Sequence, residues 1–296
     1  MTLTNQPPLS GFADEANPSL QKQIQAHREL GWRWLDIRKL RDAAGQPQNV
    51  TDLPMSMVEE SAATIAEADM AVLGYGSNLG NYNHPITEPS DVTIEELERL
   101  IPRAQALKAH HVRIMSYALP PHGEPLQEQE RFRRLREIVR RCRDAGLLPL
   151  HENCGNYGGL GWRQTMKMLE NVPGLRLIFD TANQVRRHHP DRDGESYNRP
   201  NWEFYDQVRE WVDVLHIKDR TREARHCWPG EGEGEVERIV ADWLCRPEPG
   251  PISIEPHLTG NLPSELRSDP EKADAWRYEH YVEYGRRFKH LLSRMA

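Results

Sequence analysis

The sequence has few cysteines and no long apolar run, and each shortage excludes a class of protein. Only four of the 296 residues are cysteine, and no two form a CxxC pair, so we expect reduced thiols rather than a disulfide scaffold. No apolar stretch approaches the ~18 residues that a membrane helix needs. The opening MTLTNQPPLS lacks the basic and apolar regions of a secretory signal. We therefore expect a cytoplasmic protein that does not contact membranes.

Positive charge is also in short supply over the chain as a whole. Asp and Glu number 45 against 38 Lys and Arg, which gives a net charge of −7. Because binding to nucleic-acid phosphates needs a basic field, the composition disfavours a nucleic-acid partner. The hydrophobic fraction of 38% and the charged fraction of 28% are those of an ordinary globular protein.

What the sequence does contain is a repeated alternation of short apolar runs and longer amphipathic ones. The apolar runs predict eight strands, at residues 11–15, 32–38, 70–76, 111–118, 147–153, 175–181, 213–219 and 251–257. Helical patterns fill the intervals, and we expect Pro102 to kink or split one of them. Eight strand–helix units predict an α/β fold, a single (β/α)8 TIM barrel in one domain over residues 1–296. An open doubly wound sheet is the alternative, but its GxGxxG turn is missing.

Polar groups end the last four predicted strands. Side chains alternate along a strand, so Glu152 shares a face with Leu150, and Asp180 shares one with Ile178. If the purely apolar faces look toward the helices, one residue of each strand looks inward: Glu152, Asp180, His216 and Glu255. Three converging carboxylates would repel each other, and a divalent cation would relieve this. Such ligands suit Mn²⁺ as the first choice, or Mg²⁺, Co²⁺, Fe²⁺ or Zn²⁺.

The same strand ends resemble a known superfamily. The motifs HEN, FDTAN, HIKD and IEPH, the loop PGEGEGEV and the opening GFADEANPSLQKQIQAHRELGWRWLDIR are similar to those of xylose-isomerase-like TIM barrels. That group includes sugar isomerases and epimerases, inosose dehydratases and endonuclease IV-type DNA-repair enzymes. The resemblance covers nearly all of the chain from about residue 11. It implies that Glu152, Asp180, His216 and Glu255 bind one divalent metal.

The sequence departs from the family pattern at two places. Many ketose epimerases and the endonucleases carry histidine three residues after the sixth-strand aspartate, where this chain has Asn183. The endonucleases also draw histidines from the second and third strands, which end here in LDIRKL and LGYGSN. The resemblance therefore supports neither a trinuclear zinc site nor DNA repair, and it weakens the case for a plain 3-epimerase.

The chemistry that the resemblance implies is proton abstraction next to a carbonyl, with a metal-stabilised enediolate. We expect Glu152 and Glu255 to act as acid and base as well as ligands. Lys218 is predicted to neutralise a substrate oxyanion, with a salt bridge to a loop carboxylate as the alternative. Asn183 would bind a substrate hydroxyl or cap a turn. His257 would shuttle a proton or contact the substrate, unless it is a solvated loop residue.

These roles define a metal-dependent isomerase or epimerase of a small sugar or polyol. A lyase that resembles inosose dehydratase is the main alternative, because it starts with the same proton abstraction. A non-catalytic ligand-binding barrel is a third hypothesis, which the intact set of four ligands disfavours. Homo-oligomerisation is left open.

We also predict roles for three other segments of the sequence. The residues GEGEGE (230–235) lack the Lys-Ser/Thr of a phosphate loop and resemble a mobile loop over the pocket. The arginine-rich segment 131–143 is interpreted as a solvated helix face. Asp36 and Arg38, at the end of the second strand, are candidates to line the pocket.

Overall fold

Eight parallel strands form the centre of the protein and close into a barrel. The computed structural model describes residues 7–121, 123–185, 201–223 and 225–295. Its strands are β1 (Leu9–Gly11), β2 (Trp34–Ile37), β3 (Lys39–Arg41), β4 (Pro47–Asn49), β5 (Ala71–Gly76), β6 (His111–Ile114), β7 (Leu148–Glu152), β8 (Arg176–Asp180), β9 (Val212–Ile217) and β10 (Ile252–Ile254). The barrel order is β1-β10-β9-β8-β7-β6-β5-β2, and β3 pairs with β4 in a separate antiparallel hairpin. A parallel bridge between Phe12 and Asp36 joins the two ends of the sheet, which confirms the predicted (β/α)8 barrel.

Helices alternate with the barrel strands along the chain. They are α1 (Leu20–Leu30), α2 (Met55–Glu67), α3 (Ser90–Ala106), α4 (Glu128–Asp144), α5 (Trp162–Asn171), α6 (Asn201–Val208), α7 (Val236–Leu244) and α8 (Pro270–Met295). Gly31 ends α1 in the left-handed conformation with φ of 71°, which glycine adopts without a Cβ clash. None of the helices in the described ranges is both long and apolar enough to cross a membrane.

Two local predictions differ from the structure. The first strand spans Leu9–Gly11 and not residues 11–15, because Ala13–Glu15 turn into a 3-10 helix at the carboxyl end of the barrel. Pro102 does not split its helix, since α3 runs unbroken from Ser90 to Ala106. Pro102 is exposed, so water can bond the carbonyl that proline leaves without an N–H partner.

The arginine-rich helix α4 is not wholly solvated, so that interpretation is wrong for two of its residues. Arg131 is fully buried and Arg134 nearly so. The guanidinium of Arg131 donates to four main-chain carbonyl oxygens, those of Ser116, Tyr117, Ala118 and Leu126. A buried arginine is tolerated where its N–H groups all find acceptors, and these bonds fix the segment that follows β6.

The barrel interior contains a small apolar cluster of its own. Leu150, Ile178 and Val214 pack together there, with Leu148 at the edge. The main core lies between the outer strand faces and the helices, where Val112, Leu215 and their neighbours are buried. The strands β7, β8 and β9 therefore have one face for each core, as the alternation predicted.

Candidate metal centre

Four side chains from neighbouring strands converge at the carboxyl end of the barrel. Glu152 and Asp180 are the last residues of β7 and β8, His216 precedes the last residue of β9, and Glu255 follows β10. Each is at most 2% exposed. One potential ligand atom from each lies within 4.8 Å of those of the other three. The structure thus brings together all four residues that were selected from the sequence.

The strand register explains this convergence. Asp180 is paired with His216 across β8 and β9, and Ile178 is paired with Val214. Because paired residues of parallel strands point to the same side of the sheet, the apolar pair lies directly beneath the polar pair. The cluster of four is therefore the next layer of the barrel interior, one strand repeat above the apolar cluster.

Lys218 and Arg113 are in direct contact with the carboxylates of this layer. The Lys218 Nζ lies 3.0 Å from Asp180 Oδ2 and 3.1 Å from Glu255 Oε2. The Arg113 Nη1 lies 3.2 Å from Glu152 Oε2 and 3.6 Å from Glu255 Oε1. Both cations are buried, so their charges are poorly screened and stabilise the ionised carboxylates.

Arg38 joins the four-residue cluster to the end of β1. Its Nη1 donates to Glu255 Oε1 at 2.6 Å, its Nε to Asp14 at 3.0 Å and its Nη2 to Glu15 at 3.3 Å. The half-exposed His257 also bridges two carboxylates, with Nε2 at 3.2 Å from Glu255 and 3.3 Å from Glu15. His257 is thus tied to the site, and the alternative of a freely solvated loop residue does not hold.

The balance of charge and of hydrogen bonds fits a divalent cation. Among the described residues that form these ion pairs, with histidines counted as neutral, five carboxylates face three cations, which leaves two negative charges over: Asp14, Glu15, Glu152, Asp180 and Glu255 against Arg38, Arg113 and Lys218. Both ring nitrogens of His216 are buried without a hydrogen-bond partner. Asp180 Oδ2 also has no aligned hydrogen bond, although Lys218 is close. Such a donor set suits a hard or borderline metal ion.

The carboxylates differ in their pKa. Burial opposes ionisation of Glu152, but Arg113 and His216 together outweigh it and lower the Glu152 pKa to about 2. Burial is likewise overcome at Glu255 by Lys218, His257 and Arg38, so its pKa lies well below the usual range. At Asp180 burial prevails over Lys218 and raises the pKa. The two glutamates are therefore held as carboxylates, the form that a general base requires.

Main-chain and amide groups fix the orientation of Asp180 and Glu152. Asp180 Oδ1 accepts hydrogen bonds from the main-chain N–H groups of Ala182 and Asn183, at 2.9 and 2.8 Å. The Asn183 side chain donates from Nδ2 to Glu152 Oε1 at 3.2 Å. Asn183 therefore lies within the site, where it orients a carboxylate.

The glycine-rich loop is tied to the strand that carries His216. Asp219 accepts hydrogen bonds from the main-chain N–H groups of Gly230, Gly232 and Gly234, at 2.9, 3.0 and 2.9 Å. A Cβ at Gly232 would lie 2.3 Å from Asp219 Oδ1, so only glycine permits this approach. Among the described residues that line the site cavity, none belongs to 230–235. The structure thus places the loop at the strand end, beside the cavity and not over it.

A large cavity opens above the four-residue cluster. The described residues enclose about 1120 Å³, which is at the upper end for small-molecule sites. Arg38 lines it as expected, whereas Asp36 lies deeper and accepts a hydrogen bond from Ser253. Arg113 and Glu15 also line the cavity and were not predicted from the sequence. The signal for Arg113 was present, since a charge interrupts the apolar run HVRI of β6.

The parallel barrel, with three carboxylates and one histidine at the carboxyl end of its strands, places the protein among TIM barrels that have a candidate metal site there. A family model described as xylose isomerase-like TIM barrel matches residues 24–275. The chain belongs to this family. Comparison with curated proteins finds no match.

Solved structures share the fold at low sequence identity. A xylose isomerase-like TIM barrel protein from Mycobacterium smegmatis in complex with magnesium has a TM-score of 0.65 at 18% identity, over 99% of this chain and 98% of that one. The probable 3-DHS dehydratase AsbF from Bacillus anthracis has 0.64 at 16%, over 84% and 92%. D-psicose 3-epimerase from Clostridium cellulolyticum H10, solved with D-tagatose, has 0.62 at 14%, over 94% and 98%. Identities this low show the fold alone.

Proposed function

We propose that the protein is a divalent-metal-dependent isomerase or epimerase of a sugar or polyol. The observation that carries the proposal is the convergence of Glu152, Asp180, His216 and Glu255, with one ligand atom from each within 4.8 Å of the others. Neither ring nitrogen of His216 makes a hydrogen bond, and its Nδ1 lies 3.6 Å from Glu152 Oε1. These four residues would hold the ion. A bound divalent ion would supply electrostatic stabilisation for negative charge that develops at a substrate oxygen. Mn²⁺ is our first choice for the ion, and Mg²⁺ is the ion in the similar M. smegmatis structure.

Glu152 and Glu255 are the proposed proton carriers. Their low pKa values keep them ionised, so either can accept a proton from the carbon next to a carbonyl. Glu152 ends β7 and Glu255 follows β10, with β8 and β9 between them in the barrel wall. Each has a cationic neighbour that limits its rotation, Arg113 for Glu152 and Arg38 for Glu255. One would remove the proton, and the other, after it takes up a proton from the solvent, would give that proton to the product.

Three further residues are proposed to bind the substrate. Lys218 lies between Asp180 and Glu255, where its ammonium would neutralise an oxyanion. Asn183 and His257 each contact one of the glutamates and line the cavity. They can therefore offer hydrogen bonds to hydroxyl groups of a sugar that occupies the same space. A cytoplasmic location and one domain over residues 1–296 are further parts of this proposal.

A lyase is the second candidate, and Asn183 is the observation that favours it. Asn183 stands where many ketose epimerases of the family carry histidine, and it donates its hydrogen bond to Glu152. The structural similarity to the B. anthracis dehydratase fits this alternative as well as the similarity to the epimerase fits the first. Both reactions begin with loss of a proton next to a carbonyl, and they differ in whether a leaving group departs.

Isotope exchange tests both candidates. The purified protein is incubated with Mn²⁺ in D₂O and with a set of ketoses and keto-polyols, and the products are analysed by mass spectrometry and NMR. An isomerase or epimerase should return a deuterated isomer of its substrate. Glu152→Gln and Glu255→Gln should each reduce exchange by at least about 100-fold, since each removes a base while it keeps an oxygen donor.

The control is Glu59→Gln, on the exposed face of α2, which should exchange at the wild-type rate. A product lighter by one water would identify the lyase. Wild-type exchange in Glu255→Gln together with loss in Glu152→Gln would contradict the scheme with two proton carriers.

A further inference from the structure

The cavity has two levels whose charges differ in sign. The deep level holds the five carboxylates and three cations described above. Among the described residues, the outer level, which we call the rim, is lined by four cations and one acid: Lys39, Arg41, Arg220 and Arg277 with Asp274. A chain with a net charge of −7 thus concentrates positive charge around the opening of this cavity. Such a field attracts anions.

The acid of the rim, Asp274, already accepts three hydrogen bonds. Asp274 accepts from Arg277 Nη1 at 2.8 Å, from Arg41 Nη2 at 3.2 Å and from Asn17 Nδ2 at 3.0 Å. One carboxylate therefore serves two guanidinium groups, whose side chains are 34% and 38% exposed. Within the described part of the chain, Arg277 donates to Asp274 through Nη1. The remaining N–H donors of Arg277 can bond a second anion.

The other wall of the rim also carries cationic side chains. Arg220 donates to His226 Nε2 at 2.9 and 3.2 Å. Burial and the Arg220 charge lower the His226 pKa to about 2, so His226 accepts these bonds as a neutral ring and orients the guanidinium. Lys39 is exposed at the same opening.

Short chain segments join the two levels. Arg41 is three residues beyond Arg38, which touches Glu255, and Arg220 is two residues beyond Lys218. Two or three residues span at most roughly 7 to 11 Å, which sets an upper limit on the separation of their main-chain positions. The extended chain of a five- or six-carbon sugar is of the same order, so a sugar with its carbonyl end at the deep level can extend toward the rim.

We propose that the substrate is an anionic sugar whose carboxylate or phosphate group is bound at the rim by Arg277 and Arg41. This inference rests on the proposed function and narrows its substrate class. The anion would lie at the end of the sugar that is remote from the reacting carbon. A charge-assisted, bidentate contact with arginine supplies both orientation and affinity.

Binding measurements test the proposal without turnover. The Mn²⁺-loaded protein is titrated calorimetrically with D-fructose, D-fructuronate and D-fructose 6-phosphate, which share a ketose chain and differ in their charge. At least one anionic ligand should bind about tenfold or more tightly than D-fructose. Arg277→Gln should remove most of that difference and leave D-fructose binding unchanged. The preference for D-fructuronate or for the phosphate identifies the anion.

Arg286→Gln is the matched control, since Arg286 lies on the same helix and faces Glu29 at 3.6 Å. It should keep the wild-type preference. Equal affinity for D-fructose and both anions, no measurable binding of either anion, or a preference that survives in both Arg277→Gln and Arg41→Gln would overturn the proposal. Anion preference without isotope exchange would instead leave the rim site intact and contradict the proposed reaction.

Discussion

Two adjacent layers of the barrel interior are made by the same strands and differ in almost every property. The lower one consists of Leu150, Ile178 and Val214. The upper one, two residues further along each strand, holds Glu152, Asp180 and His216, with Glu255 from the next strand. Both are buried to a similar extent. Burial of the apolar layer stabilises the fold, whereas burial of the charged layer opposes it unless each charge is matched.

The layer that stabilises the fold and the layer that is suited to binding lie one strand repeat apart in the barrel. The unbalanced negative charges of the ion-pair network around the upper layer destabilise the folded protein. An apolar core of the same shape would avoid this cost. A ligand that matches those charges would recover this free energy as binding affinity. Changes in the lower layer should therefore act on folding, and changes in the upper layer should act on metal binding.

The largest expected effect is the loss of metal binding in His216→Ala. Removal of one of four ligands should weaken Mn²⁺ binding by roughly 1000-fold, about 4 kcal/mol, which is more than the effect of changing a residue behind a ligand. Calorimetric titration and metal analysis of the purified variant measure it. Lys218→Ala serves as the comparison, because it removes an ammonium that competes for Asp180 and Glu255. It should bind Mn²⁺ at least as well as the wild type.

If the His216→Ala variant contained as much Mn²⁺ as the wild type, His216 would not be a metal ligand. Equal losses in both variants would show that the upper layer depends on its charge network as a whole and not on a ligand set.

A smaller effect, of opposite kind, is expected from Ile178→Ala. Deletion of a fully packed side chain should lower the free energy of unfolding by about 3 kcal/mol, as measured by chemical denaturation. Ile101→Ala, on the partly exposed surface of α3, should cost less. Folded Ile178→Ala protein should bind Mn²⁺ with nearly wild-type affinity. A metal affinity as low as that of His216→Ala would abolish the distinction between the layers.

The smallest effect concerns a buried histidine outside the barrel interior. Burial lowers the pKa of His27 to about 4, against the bond to the Trp34 carbonyl oxygen. A histidine whose folded pKa is depressed contributes stability that is complete above its unfolded pKa and is lost as the pH falls. Stability should therefore decrease by about 2 kcal/mol between pH 6.5 and pH 5 through this group.

Denaturation at several pH values measures this loss in the wild type. The slope should be smaller in His27→Gln and unchanged in His290→Gln, which alters an exposed residue of α8. An unchanged slope in His27→Gln would assign the acid sensitivity to the charged layer of the barrel.

The features of the site that could be predicted from the sequence are those that depend on a single strand. Alternation along β7, β8 and β9 places Leu150 with Glu152 and Val214 with His216, and it needs no knowledge of the rest of the chain. Contacts between distant segments could not be found in this way. Arg38 and Glu255 are 217 residues apart, yet they form the 2.6 Å bond that joins β10 to the end of β2.

Two other misses have local physical causes. The β3–β4 hairpin, Lys39–Asn49, is built from three-residue strands that carry no clear alternation. Arg131 lies in a segment of mostly charged residues, and its burial depends on four carbonyl oxygens that the turn after β6 happens to direct toward it. Both are set by the path of the chain beyond the barrel strands, which composition and periodicity do not describe.

The hydrogen bonds to Asp219 also have a consequence for how this chain can vary in length. Asp219 accepts hydrogen bonds from the N–H groups of alternate residues, Gly230, Gly232 and Gly234. Every second main-chain amide of this segment therefore points toward the carboxylate. The intervening Glu231 and Glu233 can change in identity without loss of these bonds. Insertion or deletion of a single residue would shift every later amide out of phase with the carboxylate. The segment 230–234 should therefore accept substitutions at Glu231 and Glu233 while it resists changes in length.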